Sequence, residues 1–173
     1  MNLKKIITIV VILFSIINLE IKAKAVVDDL YPEATYIWNY LKDQGYNDAV
    51  AAGILGNIAT ECAGSELYLE PFVYSKSKKY YGICQWSLYW YPEIADATLE
   101  EQCEFLMSNI ESTINLFGDD YYKDFDYAAF ILLENEKDVA LAFAKCYERC
   151  HEDSYEERQE NATFTLNYYK NII

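Results

Sequence analysis

The chain has 173 residues, 53% of them hydrophobic, and a formal net charge of −14 at pH 7. A hydrophobic content this high excludes intrinsic disorder, and the length predicts one domain that can bury a full core. The acidic excess argues against nucleic acid and against anionic lipid surfaces as partners, because both are bound through clusters of Lys and Arg.

Residues 1–25 are predicted to form a secretory signal peptide. Two lysines precede an apolar run over residues 6–19, which ends near the small residues Ala23 and Ala25. The run is shorter than the ~20 apolar residues that a spanning helix needs, so an uncleaved anchor is the weaker alternative. We expect a secreted protein, or one delivered to the lumen of a digestive or phagosomal compartment. Residues 26–173 would be a single domain without stable membrane insertion after cleavage.

All five cysteines follow this segment: Cys62, Cys84, Cys103, Cys146 and Cys150. Disulfides persist in the oxidising compartment that an exported chain enters. We therefore expect two bridges and one free thiol, with the pairing left open by the sequence.

Helical patterns predict a mainly α domain. A first helix has Pro32 in its first turn and stops at Gly45. A second opens with Asn47 as its N-cap and continues to Cys62. Residues 63–97 lose the helical period and are rich in glycine and aromatics, which indicates loops with a short hairpin.

Two capping boxes place later helix starts. Thr98 with Glu101 precedes one helix, and Ser154 with Glu157 precedes the last. Between them, apolar spacing predicts helices over residues 127–133 and 136–149.

Glu61 is the residue that most strongly suggests chemistry. On a helical wheel it falls between Val50 and Ile54, with Ile58 on the same apolar stripe. Burial there favours the neutral carboxyl, and the helix C-terminus disfavours a negative charge. Such a carboxyl is suited to donate a proton, so we expect Glu61 to be a general acid.

The strings AAGILGNIATE, YGICQW, LEEQCEFL and ALAFAKCYER occur in this order and together resemble the phage-tail lysozyme family of peptidoglycan-cleaving domains. The resemblance implies a lysozyme-like fold with a small irregular or β-hairpin insertion after the catalytic helix. It also implies a glycan-strand substrate, catalysis by Glu61, and a turn from Gly82 to Gln85 opposite this glutamate. Two departures are Cys62, where relatives often have serine, and Cys150, where they often have proline.

Residues predicted to bind substrate share the glycine-aromatic segment or the late Tyr-Glu-Arg motif: Tyr81, Gly82, Gln85, Trp86, Tyr147 and Glu148. Trp86 fits a sugar cleft and a packed core equally well, and Glu148 with Arg149 also fits a structural ion pair. Glycoside cleavage requires a second group besides the acid. The candidates are Glu66 and Glu70, with Glu148 as a third, and spacing does not rank them.

The predicted function is therefore a peptidoglycan-cleaving glycosidase of the lysozyme type, acting as a monomer on bacterial cell wall. One histidine and no paired ligand motif predict neither metal nor cofactor. Three alternatives stay open: a lytic transglycosylase, a non-catalytic wall-binding module, and a cysteine amidase. The amidase would use Cys62 or Cys84 with His151, the single histidine.

Overall fold

The computed structural model describes residues 30–65 and 67–172, so the predicted signal peptide lies outside the described residues. The helices are α1 (Pro32–Asp43), α2 (Asp48–Cys62), α3 (Leu99–Phe117), α4 (Tyr127–Ile131), α5 (Glu136–Phe143) and α6 (Tyr155–Lys170). Within this described part, no helix combines the length and apolar character needed to cross a membrane. The domain is mainly helical with a small β insertion after α2, which confirms the predicted fold class.

The predicted starts of the first three helices are confirmed. Pro32 opens α1, and Gly45 follows its end in a left-handed conformation with φ +89°. The side chain of Asn47 accepts a hydrogen bond of 2.9 Å from the backbone of Val50, which caps α2. Thr98 and Glu101 form the full capping box of α3.

Helix α2 lies at the centre of the domain. Twelve of its fifteen residues are buried, as expected for a helix that is apolar on every face. Two glycines let neighbouring helices approach closely. A Cβ on Gly56 would lie 2.5 Å from the backbone nitrogen of Ala162 in α6, and a Cβ on Gly53 would collide with Val139 in α5.

The segment after α2 forms two small antiparallel sheets, in place of the single hairpin expected. Strand β1 (Ala63–Ser65) pairs with β2 (Tyr68–Leu69), and β3 (Tyr80–Tyr81) pairs with β4 (Trp86–Ser87). The first pairing is joined to the helix end, because Glu70 donates its backbone N–H to the Cys62 carbonyl at 2.7 Å.

The helix predicted over residues 136–149 is shorter than expected. Its α-helical part ends at Phe143, and Ala144–Glu148 form a π-helical turn. Arg149 then ends this turn in a left-handed conformation with φ 52°. The helix expected over residues 127–133 likewise stops early, at Ile131.

The predicted capping box of Ser154 with Glu157 is wrong, although α6 starts where it placed the helix. Ser154 is itself in the helical region, with φ −97° and ψ −2°, and its side chain makes no cap. Its hydroxyl instead donates to the His151 carbonyl and accepts a hydrogen bond from Arg158 Nε at 3.1 Å. The Arg158 guanidinium therefore donates to the Ser154 hydroxyl oxygen, which in a helix cap would accept a hydrogen bond from the backbone.

The two expected disulfides are not found: in the described residues all five cysteines are free thiols, four of them buried. Two of the thiols form hydrogen bonds with backbone carbonyls. The Cys146 thiol donates to the Gly118 carbonyl, and the Cys150 thiol donates to the Ala144 carbonyl. The core is closed by packing, without a covalent bridge.

The contact at Gly56 gives a prediction for stability. Gly56→Ala should destabilise the fold by about 1–3 kcal/mol, because the added methyl meets the backbone of Ala162, which cannot rotate away. Thermal and urea unfolding measure the loss. Gly45→Ala measures backbone strain alone, since nothing lies within 4 Å there and its expected loss of roughly 1–2 kcal/mol comes only from the left-handed conformation. A Gly56→Ala protein as stable as the wild type would show that α2 and α6 do not pack this closely.

Candidate functional site

A cleft of about 540 Å³ opens beside the C-terminal end of α2. It is bounded by α2, the β3–β4 turn, α3 and the π-helical turn. Its lining residues are Glu61, Tyr80, Cys84, Gln85, Trp86, Ser87, Tyr91, Asn109, Thr113, Tyr147 and Glu148. Five of the predicted site residues, Glu61, Gln85, Trp86, Tyr147 and Glu148, meet in this cleft.

Glu61 is placed at the cleft by the last turn of α2, with its side chain 21% exposed. It forms an ion pair with Arg158, whose side chain is only 3% exposed. The same guanidinium donates to Asn57 Oδ1 at 2.9 Å and to Ser154 Oγ at 3.1 Å. Burial opposes the charge of Arg158, but its hydrogen bond and ion pair with Glu61 outweigh burial and raise the Arg158 pKa.

This pairing differs from the apolar setting that the sequence predicts for Glu61. The stripe of α2 does bring the carboxyl to the interior, but a buried cation meets it there. An ion pair of this kind consists of a carboxylate and a guanidinium. The structure therefore places a buried cation beside Glu61, where the sequence predicts apolar neighbours alone.

The surroundings of Glu148 differ from those of Glu61. Its Oε1 is shielded from solvent and has no hydrogen-bond partner among the described residues. Burial and the nearby charge of Glu61 raise the Glu148 pKa to about 8, against the opposing effects of Arg158 and of the Cys84 thiol. The surroundings of Glu148 therefore favour its neutral form over its charged form.

The π-helical turn positions Glu148 at the cleft. Such turns widen the helix by one residue and are frequent at functional sites. Arg149, in its left-handed conformation, directs its guanidinium over the ring of Phe117 at 4.0 Å. The alternative of a structural ion pair between Glu148 and Arg149 is therefore wrong, because the cation is used in this stacking contact.

The turn between β3 and β4 forms another wall of the cleft. Gln85 has φ 45°, a left-handed conformation that costs a residue with a side chain roughly 1–2 kcal/mol. Its Nε2 donates to the carbonyls of Gly82 and Val73, at 3.0 and 3.3 Å. Both bonds use the amide nitrogen, so Oε1 is left as an acceptor for a ligand. Strained positions of this kind concentrate at binding sites.

A chain of hydrogen bonds fixes the aromatic wall. Trp86 Nε1 donates to the hydroxyl of Tyr147 at 3.0 Å, and this hydroxyl donates to Asn109 Oδ1 at 2.6 Å. Trp86 is only 7% exposed and packs edge-on against Phe105. It therefore belongs to both the core and the cleft, which the sequence presented as alternatives.

Two predicted binding residues lie beneath the cleft rather than on its surface. Tyr81 is 2% exposed and donates its hydroxyl to the Ala97 carbonyl. Gly82 shapes the turn with φ 84°, and a Cβ there would lie 2.5 Å from Gln102 Oε1. These residues support the cleft without lining it.

Of the two glutamates proposed as second carboxylate, Glu70 is not found in the cleft. Glu70 is exposed and is not among the lining residues, because the β1–β2 pairing holds its backbone against the end of α2. Glu66 lies outside the described residues. Glu148, which the sequence also offered, is the second carboxyl of the cleft.

The structure does not assemble the site of a cysteine amidase. Burial raises the pKa of the Cys62 thiol to about 12 and also raises the pKa of the Cys84 thiol well above its usual value. His151 is 77% exposed at its side chain and contacts Asp153, at 3.1 Å between Nδ1 and Oδ2. Neither thiol has a histidine base. In the described part of the chain, no group of three or more metal-ligating side chains is arranged to hold a metal ion.

Several residues of the cleft are absent from the sequence-based prediction, among them Asn109 and Thr113, and so is Arg158, the partner of Glu61. Arg158 lies one and two helical turns before Ala162 and Leu166, which are both buried. A cation on the apolar stripe of α6 was therefore a usable signal, of the same kind that identified Glu61. Asn109 and Thr113 lie one turn apart on α3 and carry no comparable signal.

The comparison with known families follows this geometry. A family model described as phage tail lysozyme matches residues 32–169, which include every element that lines the cleft. No curated protein matches the chain.

The raised pKa of Glu148 predicts how stability depends on pH. The folded state keeps a proton on Glu148 that the unfolded state releases above pH 4.5, so stability falls as pH rises toward 8. Glu148→Gln should remove this dependence. The drop in unfolding free energy from pH 5 to pH 8 should be smaller in the variant than in the wild type by at least about 1 kcal/mol. Urea unfolding at both pH values measures it.

Glu70→Gln, at an exposed position outside the cleft, is the matched control and should keep the wild-type dependence. Parallel pH curves for Glu148→Gln and the wild type would mean that Glu148 is ionised in the folded protein at neutral pH.

Proposed function

The chain belongs to the phage-tail lysozyme family, and from this premise we propose that it is a glycosidase that cleaves the glycan strands of bacterial peptidoglycan. The family suggests lysozyme-like activity on peptidoglycan. One observation carries the finer proposal: Glu61, at the end of the buried helix α2, shares a cleft with a second carboxyl, Glu148.

The chemistry of glycoside cleavage matches this pair. The glycosidic oxygen must receive a proton, and the positive charge that develops at the anomeric carbon must be stabilised or intercepted. Two carboxyl groups, one protonated and one ionised, supply both functions. Glu61 and Glu148 share the cleft in different surroundings, since Glu61 pairs with a buried cation and burial raises the pKa of Glu148.

The rest of the cleft suits an amino-sugar substrate. Its volume of about 540 Å³ is within the range of ligand sites, roughly 300–1,000 Å³. Trp86 and Tyr147 supply apolar surface for sugar faces, and Gln85 Oε1 can accept the N–H of an N-acetyl group. Peptidoglycan glycan strands present both features.

The other candidate functions have less support. A wall-binding module needs no paired carboxyls beside a buried guanidinium. A lytic transglycosylase would use the same cleft, but the sugar's own hydroxyl would replace water, leaving an anhydro end on the product. We propose hydrolysis because the cleft supplies two carboxyls rather than one. We also propose that the protein is secreted and acts as a monomer.

The first test is the removal of the Glu61 charge. Glu61→Gln should lower the rate of clearing of purified peptidoglycan by at least about 100-fold, while the amide still bonds Arg158 and maintains the fold. Turbidity measures the rate, and thermal unfolding verifies folding. Glu70→Gln should clear walls at the wild-type rate. Clearing by folded Glu61→Gln at the wild-type rate would refute the proposal.

The same assay separates the alternatives. Mass spectrometry of the fragments should detect reducing ends, whereas anhydro ends would indicate a transglycosylase. His151→Ala should leave clearing intact, because His151 is exposed and does not line the cleft, whereas loss of clearing in a folded variant would indicate a cysteine enzyme. Binding to walls without clearing would indicate the module.

The acidic surface predicts a dependence on salt. Bacterial walls are largely anionic, and a chain with net charge −14 is repelled from them at low ionic strength. Clearing should therefore rise between salt-free buffer and ~0.1 M salt, where the Debye length is about 10 Å. An uncharged N-acetylglucosamine oligosaccharide is the control substrate, whose cleavage should not rise. Fastest clearing of walls in salt-free buffer would contradict this.

A further inference from the structure

We propose that residues 75–79 form a second substrate contact, which binds carboxylates of the peptidoglycan stem peptides beside the glycan strand in the cleft. We call this segment the lysine loop, because it contains Lys76, Lys78 and Lys79. The contact rests on the proposed function, since the stem peptides belong to the same substrate.

The lysine loop lies in a segment whose charge is opposite to that of the chain. Residues 71–92 contain its three lysines and no Asp, Glu or Arg, whereas the whole chain has a formal net charge of −14. Without these three positive charges, the rest of the chain has a formal charge of −17. A cluster of cations on an otherwise acidic protein produces a local field that attracts anions.

The three lysines are exposed, and in the described part of the chain none of them forms an ion pair. The acidic side chain recorded against the neighbouring residue, Asp96, accepts a hydrogen bond from the Tyr74 hydroxyl at 2.8 Å rather than from a lysine. The ammonium groups of the lysine loop are therefore available to an anionic ligand.

Backbone connections place the lysine loop at the rim of the cleft. Lys79 directly precedes Tyr80, which lines the cleft. The carbonyl of Lys79 also accepts the backbone N–H of Leu88 at 2.8 Å, and Leu88 directly follows Ser87, a second lining residue. The lysine loop therefore adjoins the cleft at two points.

Hydrogen bonds to Ser75 fix the shape of the lysine loop. The backbone N–H of Ser75 donates to the Tyr80 carbonyl at 3.0 Å, and its carbonyl accepts the N–H of Lys78 at 2.8 Å. The Ser75 hydroxyl accepts the backbone N–H groups of Lys79 and Tyr80, at 3.3 and 3.2 Å. Because the backbone is already ordered, binding of an anion to the lysines costs less conformational entropy.

The stem peptides are the anions that suit this position. They branch from the glycan strand and carry free carboxylates, so a strand bound in the cleft brings them to its rim. The lysine ammonium is a compact point charge that can pair with a single carboxylate. Attraction at the lysine loop would also offset the repulsion between the rest of the acidic surface and the wall.

The test compares two triple variants of equal charge. The loop variant is K76Q/K78Q/K79Q, and the control variant is K123Q/K137Q/K170Q, which changes three exposed lysines that do not line the cleft. Each variant has a formal net charge of −17, so the overall repulsion from the wall is matched. Binding is measured by sedimentation with insoluble peptidoglycan, in proteins that also carry Glu61→Gln. Thermal unfolding verifies that both variants fold.

On peptidoglycan freed of phosphate polymers, the loop variant should bind about 10-fold more weakly than the control variant at ~20 mM salt, the combined effect of three exposed ion pairs. This difference should disappear near ~1 M salt, where the Debye length is about 3 Å. On glycan strands stripped of their stem peptides, the two variants should bind equally. With Glu61 intact, the loop variant should have a raised KM for peptidoglycan and a kcat within about 2-fold of the control variant.

Equal binding of the two variants to peptidoglycan that retains its stem peptides would overturn the proposal, and so would a difference that persists on the stripped strands. A difference found only on walls that keep their phosphate polymers would assign the lysine loop to phosphate and refute the stem contact. Failure of the proposed function gives a separate result. A wild type that binds through the lysine loop but leaves peptidoglycan uncleaved would refute the glycosidase and support the stem contact.

Discussion

The ion pair between Glu61 and Arg158 is the interaction on which the site depends. It joins the last turn of α2 to the first turn of α6, and these helices come close because Gly56 has no side chain to separate them. A buried ion pair requires further hydrogen bonds to offset its desolvation. Asn57 and Ser154 supply them, both from the same two-helix junction. The packing that closes the core therefore also fixes the carboxylate at the edge of the cleft.

One guanidinium beside two carboxyls determines the charge state of the cleft. Arg158 acts on Glu148 as well, but burial and the charge of Glu61 outweigh it. A single cation is present for two carboxyls, and it pairs with Glu61 rather than with Glu148. Two chemically identical side chains therefore lie in different surroundings, which is a general means by which one site can obtain both an acid and an anion.

The sequence predicts the helix starts well because caps and apolar stripes are local patterns, as at Asn47 and Thr98. It predicts Glu61 for the same reason. It does not rank Glu148, because no periodicity marks the π-helical turn that brings this residue to the cleft. Ser154 fails as a cap because Arg158, one turn later in the same helix, competes for its hydroxyl while the long-range ion pair with Glu61 holds the guanidinium in place. The site is thus predictable where local rules decide and is missed where long-range contacts override them.

The aromatic wall shows how core packing and recognition coincide. The indole of Trp86 donates to Tyr147, which donates to Asn109, whose own amide nitrogen donates to the Phe105 carbonyl at 2.6 Å. The indole N–H of Trp86, the hydroxyl of Tyr147 and the amide of Asn109 are therefore all hydrogen-bonded within the protein. Trp86 and Tyr147 are thereby held in fixed orientations at the cleft. Under the proposed function, the acceptor for an N-acetyl group is Gln85, which directly precedes Trp86 in the strained turn.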